Sequence, residues 1–293
     1  MKPPSFRYAV AETIQDVTRL LHDEGSGGRI LAGGQSLIPL LRDRSVQPSL
    51  MVDIGRIENL CGLAHDGDEL RLGACVTHSV VERWATGRVD VIAEAMSFVG
   101  HAAVRTFGTV GGALAYADPT AEWAAVALVL DGQCEIAGPD GSRSVPVEDV
   151  ATGPFTTGLG PAEVITEVRL VLPPAGSGSA FCELAPAGEH AIVGVAAVLQ
   201  LGTDGLVDDV RIGLCGVGEK AVRARGAEAA LRGQQPAPAV LREVSELVLD
   251  DVREAFGDLA ASATYRQRIA PVVTERALLA AASRTTFPST TSA

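Results

Sequence analysis

Several common devices are missing from this chain of 293 residues. Its five cysteines, at 61, 75, 134, 182 and 215, are odd in number, widely spaced and never arranged as C-x-x-C. Reduced thiols explain that pattern better than disulfides do, and it argues against an iron–sulfur cluster or a structural zinc held by this chain. The five histidines, at 22, 65, 78, 101 and 190, show no H-E-x-x-H spacing. Also absent are a G-x-S-x-G elbow, a P-loop and a G-x-G-x-x-G turn opening a long helix. Activated-nucleophile hydrolysis and a Rossmann nucleotide site therefore lose their usual signatures. Basic residues are scarce, 24 against 36 acidic, and the net charge of −12 disfavours nucleic acid or an anionic membrane as a partner. The longest apolar run, Ala191–Leu201, is about half of what spanning a bilayer needs. The opening MKPPSFRYAV lacks the apolar core of a secretory signal. No membrane insertion is expected, and a cytoplasmic location is. Solenoid-type repeats are missing as well.

What is present reads as an ordinary globular chain, 47% hydrophobic and 20% charged, long enough for one large domain or two to three smaller ones. Residues 5–10 read as a strand, Thr13 with Asp16 as a helix cap, and 29–32 as a buried strand running into Gly33-Gly34. A short helix (37–41) and a strand (50–54) complete a βαβ-like unit. Downstream, 69–75 alternates as a strand, Thr77-His78-Ser79 opens a helix, and 89–99 is helical. Pro119 suits the first turn of a buried helix over 120–130. A hairpin over 133–147 and a strand over 163–172 follow. Residues 173–179, PPAGSGS, form the best linker. Beyond it, 180–184, 191–201 and 207–215 read as antiparallel strands, and 219–231, 238–255 and 262–283 as helices. The Ser/Thr-rich end, 284–293, reads as a disordered tail.

Two glycine pairs carry the chemistry. In Ala32-Gly33-Gly34-Gln35-Ser36 the missing Cβ atoms let backbone come close to a ligand, successive N–H groups can face one concavity, and Ser36 adds a hydroxyl donor. Thr109-Val110-Gly111-Gly112 reads as the same device again, with Thr109 as the hydroxyl and Ala113 continuing the chain. A plain strand-to-helix turn is the simpler alternative for each, but two such sites together suit one pyrophosphate. Asp118 and Glu122 flank the second pair. Either could hydrogen-bond a ribose or ribityl hydroxyl; equally, Asp118 shapes the turn before Pro119 while Glu122 answers the helix dipole.

Taken together, LAGGQSLIPLL (31–41), VDI (52–54), LGACVTHS (72–79) and VRTFGTVGGALAYADPTAEW (104–123) resemble the FAD-binding medium subunit of the molybdenum hydroxylases. Carbon monoxide dehydrogenase and the xanthine dehydrogenase flavin domain typify that family. The likeness continues through TTGLGPAEVITEVRL (156–170) and the C-terminal stretches 191–201, 213–231 and 265–278, so it covers nearly the whole chain. It implies an α+β fold: a two-subdomain FAD-binding domain of the vanillyl-alcohol-oxidase/PCMH type over 1–173 (about 1–55 and 56–173), then a C-terminal antiparallel sheet with helices over 180–283. By position, Ala32–Ser36 and Thr109–Gly112 would cradle the FAD pyrophosphate. Thr77 would lie near the flavin ring and Ile165 at a ring-contacting position, while Glu122 stands where the family often has Asp.

Departures from the family pattern bear on reactivity. Around 181–191 the family usually carries a Lys and an Arg-Arg pair before Asp-Phe/Tyr, whereas FCELAPAGEHA has no cation. Counting without gaps puts Cys182 at the Lys, Glu189 at the Asp and His190 at the aromatic. Ala113 replaces the usual Asn. Loss of a cation beside the flavin makes an anionic reduced ring less favourable. The function implied is an oxidoreductase subunit that passes electrons from an iron–sulfur small subunit, fed by a molybdopterin large subunit, through FAD to NAD+, a quinone or dioxygen. The alternative is a stand-alone FAD oxidase or dehydrogenase with His78 or His190 as base; a scaffold that has lost flavin is the third reading.

Overall fold

The computed structural model describes residues 2–186, 190–252 and 255–286. In chain order its first elements are β1 (Arg7–Val10), α1 (Ile14–Glu24), β2 (Gly28–Leu31), α2 (Leu37–Asp43), β3 (Leu50–Asp53), β4 (Leu63–Asp66) and β5 (Glu69–Gly73). Next come α3 (His78–Ala85), α4 (Asp90–Phe98), α5 (Ala102–Phe107), α6 (Val110–Tyr116), α7 (Glu122–Val129), β6 (Gln133–Gly138) and β7 (Gly141–Pro146). Then follow α8 (Val147–Val150), β8 (Ala151–Gly153), β9 (Thr156–Thr157), β10 (Val164–Val171), β11 (Gly178–Leu184), β12 (Val193–Leu201) and β13 (Val207–Cys215). The chain ends in β14 (Val222–Arg223), α9 (Arg225–Leu231), α10 (Pro238–Glu246), α11 (Val248–Asp251) and α12 (Ala263–Ser283). Helix and sheet are mixed, as an α+β fold requires.

Two compact units emerge, and neither is one continuous stretch. The first comprises residues 1–81, 102–117 and 132–170; the second comprises 82–101, 118–131 and 171–293.

In the first unit, β1, β3 and β2 form a parallel sheet in that order. α1 covers it because Val17 and Leu21 recur at helical spacing and are buried with Val52 and Leu50. Thr13 caps this helix by accepting the Asp16 N–H at 3.1 Å, and Gly25, at φ +66°, ends it. A five-stranded sheet, β4-β5-β10-β6-β7, and a two-stranded sheet, β8-β9, also belong to this unit. β4 was not expected from sequence: Leu63–Asp66 is largely exposed and lacks an apolar alternation, so pairing to β5 rather than its own pattern makes it a strand.

The second unit is built on an antiparallel sheet, β11-β12-β13-β14. Strand alternation splits its side chains into two layers. One face carries Ala180, Val193, Val195, Ala197, Val210, Ile212 and Leu214, packed with Leu231, Leu241, Ala270 and Leu278 from α9, α10 and α12. The other face takes α7, buried from Trp123 to Val129, with the Ala125 carbonyl lying where a Cβ on Gly213 would stand, 2.7 Å away. Arg266 of α12 is fully buried yet solvated by protein. It donates to the carbonyls of Ile192 (2.6 Å) and Gly216 (2.8 Å) and to Asp258 Oδ2 (2.6 Å). A buried charge is tolerable only with such partners.

Some expected boundaries shift. The helix expected over 120–130 starts at Glu122, because Asp118 Oδ1 accepts both the Thr120 N–H (2.9 Å) and its hydroxyl (2.7 Å) and turns the chain before the helix. Pro119 therefore lies outside the first helical turn, and its carbonyl accepts the Gly216 N–H at 2.8 Å. The helix expected over 219–231 is the short strand β14 followed by α9, and that over 238–255 divides into α10 and α11. In the end segment, Arg284 donates to the Ser179 carbonyl at 2.7 Å and the Thr286 N–H to Gly176 at 2.9 Å. The rest of the expected tail, 287–293, lies outside the described residues, as does Glu189.

Candidate functional site

The first glycine turn follows β2 directly. Gly34 takes φ +73°, a conformation that strains any residue with a Cβ. Gly33 faces the chain just before the second glycine pair: a Cβ there would collide with the Phe107 carbonyl oxygen and stand 2.7 Å from its carbon and 3.1 Å from Gly108 Cα. A Cβ on Gly112 would lie 3.8 Å from Ala32 Cβ. The two glycine segments, some seventy residues apart in sequence, thus converge within the first unit.

Their hydrogen bonding differs. Among the described residues, the backbone N–H groups of Gly33, Gly34, Gln35 and Ser36 meet no backbone or side-chain acceptor. The Ser36 side chain does not cap α2, and the Gln35 amide donates to the Gly33 carbonyl at 3.3 Å. Four successive unpaired donors on a glycine turn are available to an anion. At the second pair every donor is taken. Val110 N–H bonds the Val76 carbonyl (3.0 Å), Gly111 N–H the Ala74 carbonyl (3.0 Å), and Ala113 N–H the Thr109 carbonyl (2.9 Å). Gly112 N–H bonds Thr109 Oγ1 at 3.2 Å, so Thr109 is the N-cap of α6 and accepts there, keeping its own hydroxyl proton as a donor. Gly111 is needed for contact: a Cβ would stand 2.8 Å from Ala74 Cα and 2.9 Å from its carbonyl oxygen. The sequence reading of one device used twice is therefore revised to one open donor row supported by a closed helix start.

The remaining first-unit candidates surround this pair. Thr77 bridges Thr109 in an isolated β-pairing and lies 3.1 Å from the Ser79 hydroxyl. His78 donates its backbone N–H to the Gly108 carbonyl at 2.9 Å, and its ring packs 3.0 Å from where a Gly108 Cβ would be. The ring is 4% exposed, and burial, aided by Arg105, lowers its pKa to about 4. His78 is thus a neutral packed imidazole at pH 7. Ala113 sits half-buried within α6, and Ile165 is buried on β10 opposite Ile136, next to a bulge at Thr166.

Asp118, Glu122 and His190 belong to the second unit. Asp118 performs the turn role described above, and its Oδ2 is 3.9 Å from Nδ1 of the exposed His190. Glu122 opens α7 yet is 8% exposed, and burial pushes its pKa up to about 7. Glu183, on β11, was passed over in the sequence. Burial, with Glu122 nearby, raises it to about 8, and its Oε2 is buried without a hydrogen-bond partner among the described residues. An acidic residue inside an otherwise apolar strand pattern was the signal available. No group of three or more His, Cys, Asp or Glu side chains among the described residues could hold a metal. No helix among them is long and apolar enough to cross a membrane.

An open amide row on a glycine turn beside a capped helix, in an α+β unit, is the kind of backbone surface on which a phosphate-bearing cofactor can be held. The chain matches the family described as FAD binding domain in molybdopterin dehydrogenase over residues 4–173, and the CO dehydrogenase flavoprotein C-terminal domain over 184–281. It is 35% identical over 292 residues to the 6-hydroxypseudooxynicotine dehydrogenase complex subunit alpha of Paenarthrobacter nicotinovorans, covering 97% of each chain. To the carbon monoxide dehydrogenase medium chain of Hydrogenophaga pseudoflava it is 30% identical, covering 97% of this chain and 99% of that one. Among solved structures, carbon monoxide dehydrogenase from the same organism superposes with a TM-score of 0.93 at 32% identity, covering 98% of this chain and 100% of that one. The chain belongs to the family of FAD-binding medium subunits of the molybdenum hydroxylases. It is an FAD-binding oxidoreductase chain.

Proposed function

We propose that this chain is the cytoplasmic electron-transfer subunit of a molybdenum hydroxylase. It accepts electrons from an iron–sulfur small subunit, itself supplied by a molybdopterin large subunit, and delivers them to a small acceptor such as NAD+, a quinone or dioxygen. The N–H groups of Gly33–Ser36, without partners among the described residues, carry the reading, because a dianionic pyrophosphate is the complement such a row of donors calls for. Bound FAD supplies a carrier that takes two electrons and returns them singly or as a pair.

The chain's own residues hold and orient that cofactor. The Ala32–Ser36 backbone receives phosphate oxygens, and the hydroxyls of Ser36 and Thr109 add two side-chain donors. Gly111, Gly112 and Ala113 keep α6 tight against Ala74 so that Thr109 stays in place. Thr77, bridged to Thr109, and Ile165 supply the surroundings of the ring. Substrate selection falls to the large partner, which is why relatives named for 6-hydroxypseudooxynicotine, caffeine and carbon monoxide share this chain's architecture. The scarcity of clustered cysteines agrees with iron–sulfur centres carried elsewhere. His78, buried and neutral, supports packing rather than direct substrate oxidation.

Purification of the chain alone, followed by its visible spectrum and by affinity capture from native extract, tests this. A yellow chain that brings down stoichiometric iron–sulfur and molybdopterin subunits is expected. A yellow chain that stays alone and oxidises a small organic substrate would overturn the electron-transfer role.

A further inference from the structure

The parallel sheet β1-β3-β2 of the first unit has two faces. On one, Leu50 and Val52 of β3 pack with Val17 and Leu21 of α1 and with Cys75, Ala137 and Val164. Strand alternation sends the intervening residues to the other face. There the register sets Val10, Asp53 and Leu31 in one row across the three strands, with Tyr8 and Met51 in the row before it. Met51 is buried, but Tyr8 is 55% and Val10 37% exposed. The row lies at the carboxyl end of the strands, the edge where open parallel sheets take their ligands.

This row runs into the open amides. The Leu31 carbonyl accepts the Ile54 N–H at 3.0 Å, and Leu31 Cδ1 lies 3.2 Å from where a Cβ on Gly34 would stand. Ile38 Cγ1, from the first turn of α2, lies 3.1 Å from the same point, and Ile38 is 40% exposed. Gly33, by contrast, meets Phe107 and Gly108, the corner that leads to Thr109. A diphosphate on the Gly33–Ser36 amides therefore has two different ends. In the reading proposed above the flavin ring lies with Thr77 and Ile165. Thr77 is two residues past Cys75 and Ile165 adjoins Val164, and both of those neighbours pack on the core face of the sheet. The other end of the ligand is left to the face that carries Asp53.

Asp53 is the charged member of that row, and it is half-buried. Its Oδ1 accepts the Gly55 N–H at 2.8 Å, and its Oδ2 accepts the Tyr8 hydroxyl. Each carboxylate oxygen keeps a further lone pair for a ligand. Tyr8 uses its proton to hold the carboxylate, while its ring stays open to solvent. A fixed acceptor beside an exposed aromatic ring and aliphatic side chains is complementary to a nucleoside. Vicinal hydroxyls donate to the carboxylate, and a planar base lies on the apolar surface.

We infer that Asp53, oriented by Tyr8, binds the ribose hydroxyls at the adenosine end of FAD, with Tyr8 and Ile38 against the adenine. The inference rests on the Gly33–Ser36 row holding the pyrophosphate, as proposed above. It adds the residues that recognise a dinucleotide rather than a mononucleotide.

Binding of FAD, FMN and ADP to the flavin-free full chain tests this, by fluorescence titration for the flavins and by calorimetry for ADP. FMN ends at a single phosphate and carries no adenosine. Asp53→Asn keeps an acceptor for Gly55 and Tyr8 but removes the charge. It should raise the dissociation constants of FAD and ADP roughly tenfold and leave that of FMN unchanged. Tyr8→Ala, at an exposed position that folding tolerates, should weaken FAD and ADP about fivefold and spare FMN. ADP should compete with FAD for the wild-type chain. Unchanged FAD and ADP binding in both variants, or an equal loss for FMN and FAD, would overturn the adenosine subsite. So would ADP that binds the FAD-loaded chain as tightly as the flavin-free one. Failure of the phosphate row itself shows separately, as Gly33–Ser36 amides that gain no protection from hydrogen exchange when FAD binds, and would overturn the subsite with it.

Discussion

At Gly33–Ser36 four consecutive backbone N–H groups have no partner among the described residues, whereas at Val110–Gly112 each N–H is already bonded to Val76, Ala74 or Thr109. Both segments read as glycine pair plus hydroxyl, and both lie in the same unit within contact of each other. In the first, glycine supplies a backbone conformation: Gly34 at φ +73° turns the chain so that donors are left over. In the second, glycine supplies clearance: Gly111 and Gly112 let a helix start against Ala74 and under Thr109. The same residue type leaves donors open in one place and provides packing clearance in the other, and hydrogen-bond accounting is what separates them.

The difference can be attacked one residue at a time. The largest effect belongs to Gly33, where the two segments meet. Gly33→Val must displace the Phe107 backbone and should cost about 3 kcal/mol with loss of flavin, seen as a colourless chain of lowered melting temperature. Next is the acid sensitivity of the second segment's support, His78. Its folded pKa of about 4 lies below the unfolded value, so stability is full above about pH 6.5 and is lost as pH falls toward 4. Urea unfolding should show a loss on the order of 3 kcal/mol over that window, largely absent from His78→Asn.

Gly111→Ala should cost about 2 kcal/mol in melting or denaturant titration while leaving FAD affinity of the folded fraction within a few-fold of wild type. A Gly111→Ala chain of normal stability that cannot hold FAD would erase the distinction between the turns. Ser36→Ala should do the reverse. It removes one charge-assisted hydrogen bond, about 1.4 kcal/mol or roughly tenfold in FAD dissociation constant by fluorescence titration, with no change in melting temperature. The smallest contrast is at Thr109: Val loses the helix cap, about 1 kcal/mol, and Ser restores it.

Much of this architecture could be read from the chain. The cap at Thr13, the glycine stop at Gly25, the hairpin over 133–147 and the three C-terminal strands follow from local periodicity and turn chemistry, and each was anticipated. The family likeness added what no local signal carries, the joint identity of 31–41 and 104–123 as parts of one FAD-binding unit. What escaped was non-local. That Gly111 donates to Ala74 depends on a strand thirty-odd residues earlier, so sequence alone could not tell an open amide from a closed one. Glu183 looked like one more polar residue in a segment noted for lacking cations. Only the row through Gly194 to Cys215, on the face that α7 covers, explains why its carboxyl is largely buried.

Amide hydrogen exchange resolved to single residues, compared between the flavin-free and FAD-loaded chain, bears most directly on the division between the two turns. The N–H groups of Gly33, Gly34, Gln35 and Ser36 should exchange rapidly without FAD and become protected with it, while those of Val110, Gly111 and Gly112 should be protected in both states. Rapid exchange at 110–112 in the flavin-free chain, with protection gained there on loading and none gained at 33–36, would contradict it.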